Sequence, residues 1–200
     1  LVNRFVDQAR RILADAHPAN MVLLRGFAKH PTLPQMADVY GLRAAAIAAY
    51  PMYRGLAKLV GMTALPTGMA LDDEFAALEQ GWADYDYFYL HVKKTDSSGE
   101  DGNYEAKVHV IEEVDRLVPR LMALKPDVVV ITGDHSTPAA LKGHSWHPVP
   151  TLLWAPTCRP DLTTSFGERA CTQGSLGRFP AVDIMPLALA HALRLTKFGA

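Results

Sequence analysis

The sequence predicts an α/β fold, a mostly parallel sheet with flanking helices. Two observations lead there. Short β-rich apolar runs alternate with amphipathic helical stretches along the 200 residues. Polar clusters fall where several of those runs end, the edge at which parallel sheets bind ligands. No internal repeat or low-complexity linker interrupts the alternation.

Taken in order, Val2, Phe5, Val6, Ala9, Ile12 and Leu13 recur at helical spacing among polar residues and predict an amphipathic helix ending before Pro18. Residues 21–24 (MVLL) predict a buried strand that hands over to a loop at Arg25-Gly26. Residues 41–49 predict a second strand, although their alanines also permit a helix, and residues 53–60 predict a helix closed by Gly61. The aromatic run 84–92 (DYDYFYLHV) predicts a central strand, followed by a polar loop through Gly102. Within 105–124, Val108, Ile111, Val114, Leu117 or Val118, and Leu121 share one helical face, with a kink or early end at Pro119. Residues 127–132 and 149–154 predict two further strands, and 183–195 an apolar closing helix.

Composition narrows the function classes. Hydrophobic residues make up 49% and charged residues 20%, which excludes disorder. With a net charge of -1 and no basic block interleaved with aromatics, no nucleic-acid partner is expected. The longest apolar stretches, residues 44–49 and 128–131, are too short to span a bilayer, so no membrane association is expected. Cys158 and Cys171 lack CxxC spacing and predict two reduced, buried thiols in a cytoplasmic protein. The chain begins at Leu1 without an initiator Met, a basic n-region or an apolar h-region, so its start is expected to lie inside a longer protein. Nothing specifies an oligomeric state.

Three loops carry candidate chemistry. In Thr132-Gly133-Asp134-His135-Ser136-Thr137-Pro138 a buried strand runs into an Asp-His pair, ligands of choice for zinc, manganese or iron. Adjacent residues in an extended chain point to opposite sides, so both reach one ion only if the backbone turns there; the alternative is a capping Asp beside a surface His. In the loop 93–102, Asp96 and Glu100 face either a common ion across a turn at Gly99 or simply solvent. His144, entering another strand, is a metal ligand or a hydrogen-bonded loop residue. Together the loops offer the inventory for a pair of divalent ions.

At this point a resemblance becomes specific. The run D-x-x-G-x-D-G at 96–102, DHSTP at 134–138 and H-S-x-x-P-V-P at 144–150 resemble the metal-binding signatures of cofactor-independent phosphoglycerate mutases, members of the alkaline phosphatase superfamily. ANMVLLRG at 19–26, the YPMYRGLAKLVG core within 41–61 and CTQGSLGRFPAVDIMP at 171–186 resemble the archaeal-type branch, and the likeness runs through nearly the whole chain.

The resemblance implies an alkaline phosphatase-like fold that is incomplete here. Residues 1–18 resemble the end of the family's inserted domain, and 19–200 the C-terminal half of its metal-binding domain. Asp96 and His144 resemble ligands of one ion, Asp134 and His135 ligands of the other. Glu100 stands where the family presents a His, so that site is more oxygen-rich if Glu100 ligates. Arg25 and Arg54 resemble substrate-binding positions. The implied cofactors are two divalent ions, manganese first, with magnesium, cobalt or zinc as alternatives.

The implied reaction interconverts 3- and 2-phosphoglycerate, a small phosphorylated three-carbon acid, in glycolysis and gluconeogenesis through a phosphoserine intermediate. The family's nucleophilic Ser and a further Asp ligand match nothing here and are expected upstream, so the chain alone is expected to be inactive. The alternatives are a metal-dependent phosphatase or small-molecule kinase of the same superfamily, or a non-catalytic remnant.

Overall fold

Residues 1–197 and Gly199 are described by a computed structural model, in which the chain divides into two units, Leu1–Leu33 and Pro34–Ala200. In the first unit the expected helix is present as α1 (Val2–Ile12). Arg10 and Arg11 lie in its last turn, where cations oppose the partial negative charge of the helix end. The strand expected at residues 21–24 is absent. That run is extended but unpaired, with Leu23 93% exposed. A strand exists only when neighbouring N–H and C=O groups pair with it, and among the described residues no strand pairs with this run.

The second unit opens with a single turn of helix, α2 (Met36–Tyr40), closed by Gly41 in the left-handed conformation. Then β1 (Ala44–Ala48) takes the centre of a parallel sheet. Its neighbours are β2 (Thr63–Ala64) and β3 (Tyr87–His91), in the order β2-β1-β3, with Ala46 opposite both Ala64 and Tyr89. All of β1 is buried. Its alanines therefore form a strand because hydrogen-bonded partners flank both sides, a tertiary effect that outweighs their helical propensity. Helix α3 (Pro51–Leu59) connects β1 to β2 and buries Tyr53 and Ala57, four residues apart on one face.

A helix that sequence reading missed, α4 (Leu71–Gly81), precedes β3. Leu71, Phe75 and Leu78 recur at helical spacing and are buried, and Leu78 packs with Ile47 of β1. The expected polar loop after β3 is instead a helix, α5 (Lys94–Glu100). Gly99 does not break it, because a close approach to residue 137 requires a glycine there: a Cβ would lie 2.3 Å from the Thr137 carbonyl oxygen. Next, α6 (Tyr104–Ala123) is capped by the Asn103 side chain, which accepts from the Ala106 N–H at 3.0 Å. The early end expected at Pro119 does not occur. The adjacent Arg120 fixes the last turns by donating to Glu79 at 2.8 and 2.9 Å and to Asp72 at 2.8 Å, both on α4.

The last two strands, β4 (Val129–Ile131) and β5 (Leu152–Trp154), are shorter than expected and form a separate, antiparallel pair with Val129 opposite Trp154. Beyond them lie α7 (Glu168–Cys171), a 3₁₀ turn (Ala181–Asp183) and α8 (Ile184–His191). The closing helix stops four residues sooner than expected, ahead of Leu193 in the left-handed region at φ 56°. Cys158 and Cys171 are free thiols, half-buried where burial was expected. Among the described residues no helix is long and apolar enough to cross a membrane.

Candidate metal centre

The carboxyl ends of β1 and β3 bear α3 and α5, which carry Tyr53 and Asp96. Because β5 runs antiparallel to β4, it starts where β4 ends, so residues 132–151 leave and return on the same side. That one connection holds Asp134, His135 and His144. His144 thus precedes a strand while Asp134 and His135 follow one, and antiparallel pairing is what unites them. The loop is pinned twice. Thr132 and Thr151 hydroxyls meet at 2.9 Å at its mouth, and the Ser145 N–H donates to the Ser136 carbonyl at 2.9 Å further in.

The sequence-expected residues converge there. His144 Nε2 lies 3.4 Å from Asp96 Oδ1 and 3.5 Å from Glu100 Oε1. Asp96 and Glu100 reach the same imidazole because they sit four residues apart on one helical face, not across a turn. His135 Nε2 lies 3.6 Å from Asp134 Oδ2, while its Nδ1 lies 3.9 Å from Asp96 Oδ1. The two imidazole rings are 3.8 Å apart. Single ligand atoms of Asp96, His135 and His144 all fall within 4.8 Å of one another.

Burial is graded across the cluster. The Asp96 side chain is 12% exposed, whereas Glu100 and Asp134 are 49% and His144 54% exposed. The site therefore has a fixed floor and an open face. Burial alone would raise the Asp96 pKa, but hydrogen bonds from Lys93 and Thr137 hold it below its usual value. Lys93 Nζ bonds Asp96 Oδ2, which raises the pKa of the amine.

Sequence reading missed Tyr53 and Thr137. The Tyr53 hydroxyl donates to Asp134 Oδ2 at 3.1 Å, and its ring stacks on His91 at 3.5 Å. Burial, followed by the Asp134 charge, pushes the phenol up to about 12, so it stays a donor. The signal was its place on the buried face of the helix just after β1. Thr137 donates to Asp96 Oδ1 at 2.6 Å.

Of the expected substrate contacts, Arg54 borders a cleft of about 260 Å³ with Lys58, Ala64, Leu65, Pro66 and Thr67. Arg25 belongs to the first unit, where it is exposed beside Gly26. Three carboxylates and two imidazoles meeting at one open-faced cluster make a donor set suited to divalent transition ions. An α/β fold with such a cluster at its strand ends has donors that could hold a divalent ion.

Residues 9–191 match the Metalloenzyme superfamily, and the chain belongs to it. Among curated relatives, a probable 2,3-bisphosphoglycerate-independent phosphoglycerate mutase of Thermosipho melanesiensis is 56% identical over 200 residues, covering all of this chain and 50% of the relative. One of the same name from Thermus thermophilus is 54% identical over 203 residues, again covering all of this chain and 50% of the relative. The chain thus spans about half the length of the curated relatives it matches. A solved Pyrococcus horikoshii protein superposes with a TM-score of 0.91 at 31% identity, over 100% of this chain and 58% of the other. The cofactor-independent phosphoglycerate mutase of Thermoplasma acidophilum shares the fold, with a TM-score of 0.68 at 23% identity, over 96% of this chain and 51% of the other.

Proposed function

We propose that this chain is the metal-binding half of a cytoplasmic phosphoglycerate mutase that interconverts 3- and 2-phosphoglycerate in glycolysis and gluconeogenesis. The observation that carries the reading is the convergence of Asp96, Glu100, Asp134, His135 and His144 on one open face. In this reading Leu1 to Pro18 correspond to the end of an inserted domain. The name shared by relatives that cover the whole chain supplies the substrate class.

Asp96, Glu100 and His144 would hold one divalent ion, and Asp134 with His135 another, manganese being the expected occupant. Bound divalent ions lower the pKa of an attacking hydroxyl and neutralise charge on phosphoryl oxygens. The chain's own residues do the holding and orienting. Lys93 and Thr137 keep the half-buried Asp96 ionised, and Tyr53 holds Asp134 by a hydrogen bond. Arg25 and Arg54 would orient the substrate's anionic groups, a task for which a planar guanidinium with paired donors is suited.

The nucleophile is assigned outside this chain. Ser136 is occupied, donating to the His147 carbonyl at 3.1 Å, and Ser97 and Ser98 lie within α5. The test is mutase turnover with manganese, magnesium, cobalt or zinc. The isolated chain is expected to show none, and the full-length enzyme is expected to lose turnover on Asp134→Asn. Turnover by the pure isolated chain would overturn the assignment.

A further inference from the structure

Thr137 lies beneath the cluster, 3% exposed, and belongs to no ligand set. Its hydroxyl oxygen stands 2.6 Å from Asp96 Oδ1 and 3.0 Å from His135 Nδ1. It is held there by its own backbone. Lys107 of α6 donates to the Thr137 carbonyl at 2.6 Å, and Gly99 of α5 packs against that same oxygen.

A hydroxyl has one proton to donate, and an ionised carboxylate can only accept. The short bond to Asp96 is charge-assisted and takes that proton. The Thr137 oxygen then presents only lone pairs to His135, so Nδ1 of the imidazole must carry a hydrogen. The free lone pair of neutral His135 is left on Nε2, which faces Asp134 Oδ2 at 3.6 Å and not Asp96. The hydrogen bond made by one ring nitrogen decides which nitrogen can bind a metal.

We propose that Thr137 is a positioning residue that locks His135 as its Nδ1–H tautomer and so keeps two ion sites separate: Asp96, Glu100 and His144 on one side, Asp134 and His135 Nε2 on the other. The proposal rests on the two-ion reading above. Without the hydroxyl, His135 is free to offer Nδ1, which already lies 3.9 Å from Asp96 Oδ1. The compact group of Asp96, His135 and His144 would then serve a single ion.

The test compares wild type with Thr137→Val, which keeps the shape and deletes the hydroxyl, and Thr137→Ser, which restores it. Nitrogen-15 NMR of the metal-free chain at mildly alkaline pH reads the His135 tautomer directly. Wild type and Thr137→Ser should show Nδ1–H, and Thr137→Val should lose that preference. Manganese titration of the full-length enzyme by calorimetry should then show the second ion lost, or weakened by about 10–100-fold, in Thr137→Val and recovered in Thr137→Ser. An Nε2–H tautomer in wild type overturns the proposal, even if Thr137→Val fails to fold. Uptake of both ions by Thr137→Val at wild-type affinity also overturns it, and leaves the two-ion reading standing. No manganese uptake by the wild-type full-length enzyme overturns both.

Discussion

Replacing Glu74 by Gln should remove a specific part of the pH dependence of stability. Glu74 is 3% exposed on α4, and its Oε1 accepts the Ala49 N–H at 3.1 Å where the chain leaves β1. Burial pushes its pKa from 4.5 to about 7, against the opposing influence of the Ala49 bond and of Lys94. The folded state therefore holds a proton that the unfolded chain has released. Its stabilising contribution is complete below pH 4.5 and is lost as the pH rises through about 7. Over that window the change is about 3 kcal/mol, at about 1.4 kcal/mol for each tenfold change in proton affinity. Glutamine keeps the acceptor and cannot ionise, and any cost of its extra N–H groups is independent of pH. Urea unfolding in a chelating buffer, from pH 4.5 to just above pH 7, gives the difference between variant and wild type at each pH. That difference should grow by about 3 kcal/mol in favour of Glu74→Gln, with an unchanged m-value. A constant difference would refute the reasoning and mean that Glu74 ionises in the folded protein as it does in the unfolded chain.

Three further outcomes are expected. Gly99→Ala forces a Cβ to within 2.3 Å of the Thr137 carbonyl oxygen and should cost about 1–3 kcal/mol by urea unfolding; a neutral effect would show that α5 slides freely on its neighbour. Tyr53→Phe keeps the stack on His91 but deletes the donor to Asp134, and should weaken manganese binding about 10–100-fold by calorimetry with little change in melting temperature. Glu100→His exchanges a carboxylate 3.5 Å from His144 for an imidazole, and should move preference from magnesium towards manganese in parallel titrations; an unchanged preference would place Glu100 outside the coordination sphere.

The residues that gather at the centre were legible because each lies in a polar cluster beside an apolar run, and three carboxylates with two imidazoles have few other uses in one place. The parallel sheet was legible for a similar reason, in the aromatic run that became β3. What escaped was set by distant partners. Nothing local in KTDSSGE says helix, and α5 is stabilised where Gly99 meets Thr137. The reversal of β5 depends on how the connection from β4 folds back, information that no window around residues 152–154 contains. The run MVLL at 21–24 has the composition of a strand and pairs with none among the described residues. Helix α4 is a different case, since Leu71, Phe75 and Leu78 at helical spacing, with three acidic residues in the first turn, are a local helix signal.

The doubly pinned connection between β4 and β5 bears on the order in which the centre assembles. Asp134, His135 and His144 span ten residues of separation or fewer, so bringing them together costs one short ring closure, which grows only logarithmically with length. Asp96 must meet Thr137 across 41 residues. Contacts of low sequence separation form first, so in a refolding chain the hairpin with the His135 and His144 imidazoles should exist before α5 docks. A divalent ion present during refolding would find a weak, imidazole-rich nest early and gain its carboxylate floor late. Metal added at the start of refolding should therefore act on the rate of docking as well as on the final stability.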